Sequence, residues 1–241
     1  MHRRLLRFAN PQAVAQACAE HLLDELIARQ ADRETVHLCL TGGRIANELY
    51  TIFGSLVPGS GLDTSRLQLW WGDERFVPLI HPDRNSQQAL AILAKSMPIS
   101  SANTHLMPAV DGKADPTEAA YAYAQDLGDI EFDICLLGVG PDGHVASIFP
   151  NHPSFEASGT VIGVTDAPKP PSERISLTLP TLNRSRDIWI IAVGSEKADA
   201  VTRGVAGDPE LPVSHLRGRH STLWWLDEES AANLPHHRCE L

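Results

Sequence analysis

The sequence predicts an α/β protein in which helices cover both faces of a mostly parallel sheet. Short apolar runs that fit buried strands alternate with segments whose apolar residues recur at helical spacing. This alternation is typical of right-handed β–α–β crossovers. No internal repeat or low-complexity linker interrupts the 241 residues, so we expect a single domain over residues 1–241.

The first half of the chain shows this alternation in order. A helix is predicted over residues 12–29, where the apolar residues recur every three or four positions. The run "VHLCLTGG" predicts a strand that ends in glycines and leads to a helix over residues 45–56. The run "LQLWWGDERF" predicts a strand with a charged exit, and a helix follows over residues 85–97.

The second half continues the pattern after a long connection over residues 98–116. The run "FDICLLGVGPDG" predicts a strand with a glycine exit, and "DIWIIAVGSEKADAVTRGVAG" predicts a strand, a turn and a helix. Residues 160–179 are more strand-like, because "TVIGV" and "RISLTL" flank the proline-rich "TDAPKPPSE". We expect them near a sheet edge or as a β insertion. The run "TLWWLDEESAANL" closes the pattern.

Composition and charge argue against several classes of function. The formal net charge of −10 disfavours a nucleic-acid-binding surface, because the phosphate backbone repels an acidic protein. No apolar run approaches the length of a membrane span. Cysteines inside apolar runs, such as Cys39 and Cys135, favour a reducing compartment. We therefore expect a cytoplasmic monomer or weak homodimer that acts on a small molecule.

The sequence predicts neither a metal site nor a cofactor. The histidines do not show the spacing of metal ligands. The glycine turn at residues 42–43 lacks the P-loop ending and the three-glycine dinucleotide fingerprint, which argues against ATP and NAD. There is no Gly-x-Ser-x-Gly motif and no convincing nucleophilic cysteine, so hydrolysis would use activated water.

Four polar clusters follow directly on predicted strands. The carboxyl ends of parallel strands meet at one edge of a sheet, where ligands bind in open α/β proteins. We therefore expect the four clusters to form one site. They are Thr41-Gly42-Gly43-Arg44, Gly72-Asp73-Glu74-Arg75, Gly138 to His144, and Gly194 to Lys197.

The cluster from Gly138 to His144 carries the most specific signal. His144 can accept a proton near neutral pH, and Asp142, two residues earlier, can fix its tautomer or position water. The interspersed glycines leave room for a substrate and expose backbone N–H donors. The alternative is a structural histidine that caps a following helix over residues 145–149.

The glycine and acidic clusters are candidate binding groups. Gly42 and Gly43 precede a helix and can bring backbone N–H groups to an anion, although a tight turn without a ligand fits equally well. Arg75 can hold a phosphate or carboxylate, and Asp73 can orient a hydroxyl or a base. The alternative for this cluster is a solvated surface ion pair.

Three further cations are candidate anion ligands. Lys197 lies in the first turn of a predicted helix, where a cation opposes the helix dipole unless an anion lies nearby. Arg174, at the start of a strand, and Arg44, after the glycine turn, are the other two. The alternative for Lys197 and Arg174 is a solvent-exposed charge.

Together these motifs resemble those of the 6-phosphogluconolactonases. The stretches "LTGG", "GDERFVP", "NTHLMP", "DICLLGVGPDGHVASIFP", "RISLTLPTLNRSR" and "GSEKADAV" occur in the order seen in that family. The resemblance implies a three-layer α/β/α fold with a Rossmann-like doubly wound sheet, shared with glucosamine-6-phosphate deaminases. It also implies metal-free hydrolysis of 6-phospho-D-glucono-1,5-lactone to 6-phosphogluconate, in the oxidative pentose phosphate pathway.

The resemblance also implies roles for individual residues. His144 matches the general base of the family, and Asp142 matches the acid beside it. Lys197 matches the lysine taken to contact the phosphate, and Arg75 and Arg174 match two family arginines.

This sequence departs from the family pattern in two places. The glycine loop lacks the hydroxyl-bearing end of the commoner Ser-Gly-Gly-Ser-Thr-Pro pattern, and Arg44 stands there instead. The segment after the arginine motif reads Arg84-Asn85-Ser86, so Asn85 receives no role.

Two other functions stay open at this stage. Hexosamine-6-phosphate deaminases and isomerases share the "GxDGH" turn but typically continue with Phe-Asn-Glu-Pro, whereas residues 146–150 read Ala-Ser-Ile-Phe-Pro, without the glutamate. A non-catalytic sugar-phosphate sensor on the same fold is the other. Such regulators often add a basic DNA-binding region, which this sequence lacks, and an inactive relative would most readily have lost His144.

Overall fold

The computed structural model describes residues 2–235. The described strands, in chain order, are β1 (His2–Phe8), β2 (Val36–Leu40), β3 (Leu67–Trp71), β4 (Asp73–Arg75), β5 (Ile134–Gly138), β6 (Val161–Val164), β7 (Arg174–Leu177), β8 (Asp187–Ala192) and β9 (Ser221–Asp227). Six of them form the central sheet in the order β1-β9-β8-β5-β2-β3. Every neighbouring pair in this sheet is parallel, which confirms the predicted fold class.

Helices connect these strands, and three of the six named next begin at a residue whose side chain caps the helix. They are α1 (Pro11–Asp32), α2 (Arg44–Leu56), α3 (Asn85–Leu93), α4 (Pro116–Leu127), α5 (Leu179–Leu182) and α6 (Ala198–Ala206). The Asn10 side chain accepts a hydrogen bond from the Ala13 amide at the start of α1, and Asp115 caps α4 in the same way. No described helix is both long and apolar enough to cross a bilayer.

Five strands of the central sheet, β2, β3, β5, β8 and β9, supply side chains alternately to two hydrophobic cores. Leu38, Leu136 and Trp189 pack with residues of α1, α2 and α3 on one face. Cys39 and Cys135 pack with residues of α4 and α6 on the other. Because both faces are apolar and covered, the chain forms the three-layer α/β/α arrangement expected of a doubly wound sheet.

A second, smaller sheet lies over one end of the second core. Its strands are antiparallel in the order β4-β7-β6, and Ile175 and Leu177 of β7 contribute to that core. The predicted β insertion is therefore confirmed. In this sheet Arg75 pairs with Arg174 across the strands, which brings two predicted cations together.

Three features differ from the sequence-based expectations. The edge strand β1 was not predicted, because its largely exposed, arginine-rich residues lack a buried-strand pattern. The helix α4, which begins where the predicted long connection ends, was not predicted either. No helix follows His144; residues 145–148 form a tight turn, in which Ala146 adopts a left-handed conformation (φ 49°).

Candidate active site

The four predicted clusters meet at the carboxyl edge of the central sheet. They line one open cleft of about 190 Å³, together with a lysine from the loop between β6 and β7. The predicted residues on its wall are Gly42, Gly43, Asp73, Arg75, His144, Arg174 and Lys197, and Asn85 and Lys169 lie beside them. Arg44 is exposed and lies outside this lining, at the start of α2.

His144 and Asp142 form a short hydrogen bond at the cleft. The His144 Nδ1 lies 2.5 Å from the Asp142 Oδ1. Burial alone would raise the pKa of the Asp142 carboxyl, but the hydrogen bond and charge of His144, together with Lys169, hold that pKa well below its usual range. An ionised carboxylate can only accept a hydrogen bond, so Nδ1 carries the proton and Nε2 keeps a free lone pair.

Glycine is required where this pair folds back over its turn. A Cβ atom on Gly140 would lie 2.0 Å from the His144 Nδ1 and 2.4 Å from the Asp142 Oδ1. Gly143 has a φ of 82°, which favours glycine. The turn is closed by a hydrogen bond from the Gly140 amide to the His144 carbonyl oxygen, at 2.9 Å. Because no helix follows, the reading of His144 as a helix cap is wrong.

Asp73 is buried on the opposite wall, and neighbouring donors fix its carboxylate. The Ser147 hydroxyl donates to Asp73 Oδ2 at 2.7 Å, and Asn85 Nδ2 donates to Asp73 Oδ1 at 3.2 Å. A Cβ atom on Gly42 would lie 1.9 Å from the Asn85 Oδ1. Asn85, which received no role in the sequence analysis, therefore donates to Asp73 of β4 and packs closely against the glycine turn.

Glu74 anchors this wall from inside the protein. Its fully buried carboxylate accepts hydrogen bonds from the amides of Arg75, Asn85 and Ser86. The buried Arg84 guanidinium lies 3.6 Å from it and donates to the Met107 carbonyl. The interpretation of this cluster as a solvated surface ion pair is therefore wrong for Asp73 and Glu74, whose burial fixes the strand that carries Arg75.

Three cations of the cleft lack carboxylate partners. No carboxylate within residues 2–235 lies within 4 Å of a side-chain nitrogen of Arg75, Arg174 or Lys197. Burial lowers the pKa of the Lys197 ammonium. The charges of Lys169 and Arg44 lower it further, whereas those of Glu196 and Asp142 raise it. An anion bound near Lys197 would relieve this repulsion.

Arg174 also fixes the neighbouring loop. Its Nε donates to the Pro171 carbonyl at 3.1 Å, and its Nη2 donates to the carbonyls of Lys169 and Pro170 at 3.0 and 3.2 Å. Its guanidinium lies over the Phe149 ring, 5.8 Å from the centroid, and that ring in turn packs against His144. Lys169, which this loop presents to the cleft, was missed in the sequence, where its proline-rich neighbourhood indicated only a connection.

A larger cavity, of about 340 Å³, lies at the amino edge of the same sheet. It contains none of the predicted site residues, and its main charged groups are already paired with each other, as between Arg29 and Asp187. Within residues 2–235, no three His, Cys, Asp or Glu side chains converge to hold a metal ion. The cleft at the carboxyl edge is therefore the better candidate for catalysis.

Comparison with known proteins identifies the family of the chain. The family model described as glucosamine-6-phosphate isomerases/6-phosphogluconolactonase matches residues 9–225. The fold and the cleft thus define a member of a sugar-phosphate enzyme class, and the chain belongs to the glucosamine-6-phosphate isomerase/6-phosphogluconolactonase family.

Individual relatives narrow the comparison. A 6-phosphogluconolactonase of Streptomyces coelicolor is 42% identical over 247 residues, which cover 96% of this chain and 95% of that protein. The solved structure of a 6-phosphogluconolactonase from Trypanosoma cruzi is 25% identical, with a TM-score of 0.81 and 98% of each chain covered. A monomeric glucosamine-6-phosphate deaminase has a TM-score of 0.79 at 19% identity, covering 95% of this chain and 99% of that one, and so shares the fold alone.

Proposed function

We propose that this protein hydrolyses 6-phospho-D-glucono-1,5-lactone to 6-phospho-D-gluconate, as a 6-phosphogluconolactonase of the oxidative pentose phosphate pathway. One observation carries the proposal: a short Asp142–His144 hydrogen bond lies in a cleft whose other charged walls supply unpaired cations. The similarity to a named 6-phosphogluconolactonase over nearly the whole chain supports the same substrate.

His144 is the proposed general base. Its Nδ1 proton is held by Asp142, so the free Nε2 can take a proton from water while the water oxygen attacks the lactone carbonyl carbon. The tetrahedral intermediate then collapses, the bond from C1 to the ring oxygen breaks, and the ring oxygen takes the proton back from the imidazolium. The new carboxylic acid releases its proton to solvent, which leaves the gluconate carboxylate.

Anion binding is the second part of the proposal. Arg75, Arg174 and Lys197 face the cleft without carboxylate partners, and Arg44 adds charge near Lys197. The amides of Gly42 and Gly43 donate no hydrogen bond to another described residue, so they remain available to a phosphate or an oxyanion. Holding the phosphate at a fixed place would position C1 over His144.

The cleft is less suited to deamination. The ring of Phe149 packs 4.8 Å from the His144 ring, centroid to centroid, on the segment where the deaminase pattern has a glutamate. This apolar neighbour leaves Asp142 as the only carboxylate hydrogen-bonded to His144 among the described residues. A base that activates water therefore fits better than the several proton transfers of an isomerising deaminase.

We further propose that the protein acts in the cytoplasm as a single domain and as a monomer or weak homodimer, with no cofactor or nucleic acid. The net charge of −10 and the sharing of one central sheet by both cores support this view. Sedimentation at micromolar and millimolar protein concentrations would test the assembly state. A concentration-independent tetramer or larger assembly would contradict it.

The direct test is a lactone-hydrolysis assay with the spontaneous rate subtracted, since this lactone also opens unaided. We expect turnover of the phosphorylated lactone, little turnover of unphosphorylated gluconolactone, and no loss after exhaustive chelation. Ammonia release from glucosamine 6-phosphate is the matched assay for the deaminase. Ammonia release without lactone hydrolysis, or comparable turnover of both lactones, would overturn the proposal.

A further inference from the structure

Lys169 is a cation that no part of the mechanism above uses. It lies on the loop between β6 and β7, and its Nζ is 3.4 Å from Asp142 Oδ1 and 3.5 Å from His144 Nδ1. The oxygen that it contacts is the one that accepts the His144 hydrogen bond. Because Nδ1 already carries a proton, it cannot accept a hydrogen bond from the ammonium. The ammonium donates to the carboxylate instead, and its positive charge lies beside the imidazole without a hydrogen bond to it.

The protein holds this loop in place by contacts that do not involve a ligand. Arg174 donates to three consecutive carbonyls at residues 169–171, and the Ala167 amide donates to the Ser172 carbonyl at 3.0 Å. Ala167 itself packs in a small buried cluster with Phe149 and Val164. The backbone at Lys169 is therefore fixed, although its side chain is partly exposed to the cleft.

The charge of Lys169 opposes that of Asp142 at the imidazole. Asp142 alone would favour the imidazolium, which cannot accept a proton from water, whereas a nearby ammonium disfavours it. The other charged groups that face His144 across the cleft lie on β4, on β7 and before α6; they are Asp73, Arg75, Arg174 and Lys197. Among these cations and Lys169, all within residues 2–235, only Lys169 makes a polar contact with the His144 ring, with its Nζ 3.5 Å from Nδ1.

We propose that Lys169 is a positioning residue for hydrolysis, whose ammonium offsets the Asp142 carboxylate and keeps His144 neutral and ready to accept a proton. The role of Lys169 in hydrolysis rests on the proposed function. Its electrostatic effect on His144 does not, and can be measured in the absence of any substrate.

The primary test is an NMR titration of the His144 imidazole in the wild type and in Lys169→Met. We expect the midpoint of protonation to move to higher pH by about half to one unit in the variant. This is the size expected for two unit charges about 4 Å apart with water screening. Lys169→Arg, which keeps the charge, and Lys95→Met, at an exposed lysine outside the cleft, should stay within about 0.2 unit of the wild type. A Lys169→Met midpoint within that margin would overturn the proposal.

A second measurement separates this role from substrate binding. Turnover should fall at low pH as His144 becomes protonated, and we expect this acid limb of the pH–rate profile to move to higher pH by the same amount in Lys169→Met. The rate of lactone turnover should be about three- to tenfold lower than that of the wild type in the pH range of the limb, and it should recover at higher pH. A raised KM with an unmoved limb would make Lys169 a substrate ligand and overturn the positioning role. A titration shift in a protein whose wild type lacks lactone turnover would instead contradict the proposed function and leave the electrostatic effect standing.

Discussion

The two edges of the central sheet each hold a histidine–aspartate pair, and the pairs differ in what surrounds them. At the carboxyl edge, His144 Nδ1 lies 2.5 Å from Asp142. At the amino edge, His220 Nδ1 lies 3.0 Å from Asp187, in the wall of the cavity of about 340 Å³. A search for a histidine–aspartate pair beside a cavity would select both.

The two pairs differ in how many hydrogen bonds the aspartate carboxylate accepts and in how exposed it is. Asp187 has a side chain that is 4% exposed, and it also accepts hydrogen bonds from Arg29 at 2.7 Å and from Ser221 at 2.5 Å. Asp142 has a side chain that is 37% exposed. Its other close charged partner is Lys169, at 3.4 Å. The Asp187 carboxylate is therefore buried and fully hydrogen-bonded within the protein, whereas the carboxyl-edge pair faces an open cleft.

The neighbouring cations show the same contrast. Arg29 is shared among Glu25, Asp187 and the Asp133 carbonyl, so its charge is neutralised within the protein. Arg75 and Lys197 have no carboxylate within 4 Å among residues 2–235. Removing one partner of a buried ion pair leaves an uncompensated charge and destabilises the fold, whereas unpaired cations around a proton acceptor form a place for an anion.

The largest expected effect comes from the two histidines. His144→Ala should lower lactone turnover by at least about 100-fold, because general-base catalysis typically contributes about 10²–10⁴-fold. His220→Ala, the matched change at the other edge, should alter turnover by less than about twofold. Initial rates at neutral pH with the spontaneous rate subtracted measure both. Near-normal turnover by a folded His144→Ala protein would move the base to Asp142 or Asp73.

The second-largest effect on activity is expected from substitution of the cations of the cleft. Arg75→Ala and Lys197→Ala should each lower kcat/KM by about 10- to 150-fold, because a charge-assisted hydrogen bond to an anion contributes about 1.5–3 kcal/mol. Arg186→Ala, at an exposed arginine of the amino-edge cavity, is the control and should leave kcat/KM unchanged. An effect below about threefold would return Arg75 or Lys197 to the class of solvent-exposed charges.

Substitutions at the amino edge should change the stability of the protein and not its activity. Arg29→Met leaves the buried Asp187 without its guanidinium partner, so the free energy of unfolding should fall by about 3 kcal/mol. Urea denaturation measures this change, and turnover per folded molecule should stay within about twofold of the wild type. A large loss of turnover with unchanged stability would mean that the amino edge takes part in catalysis.

The smallest effect is the pH dependence of that stability. Burial would raise the pKa of Asp187, but hydrogen bonds from Arg29, Ser221 and His220 lower it below its usual value. A carboxyl with a depressed folded-state pKa stabilises the protein above its unfolded value of about 3.9, and this contribution is lost as the pH falls through the folded pKa. Asp187→Asn should therefore be less stable than the wild type at pH 6, with a difference that shrinks below about pH 4. A difference that is constant with pH would contradict this reading.

The sequence predicts where the site lies better than it predicts all the residues that line it. Parallel strands must bring their carboxyl ends to one edge, so the convergence of Gly42, Asp73, His144 and Lys197 follows from their positions after strands. Lys169 could not be found in this way. Its contact with Asp142 depends on a loop 27 residues away folding back over the turn.

Local patterns failed where tertiary contacts override them. The residues after His144 resemble a short helix, but Ala146 takes a left-handed conformation and Ser147 turns inward to Asp73. The strand β1 has exposed, basic residues because it lies at the edge of the sheet and pairs only with β9. Neither signal is present in a single-sequence pattern of apolar residues.

The most direct test of the central claim, that the carboxyl edge is the active site, is to map where 6-phosphogluconate binds. Backbone amide shifts recorded during a titration with this product report both edges in one experiment. We expect the largest changes at Gly43, Gly140, His144 and Lys197, with little change at Arg29 and His220. Changes concentrated at Arg29 and His220, with the carboxyl-edge turns unmoved, would contradict the claim.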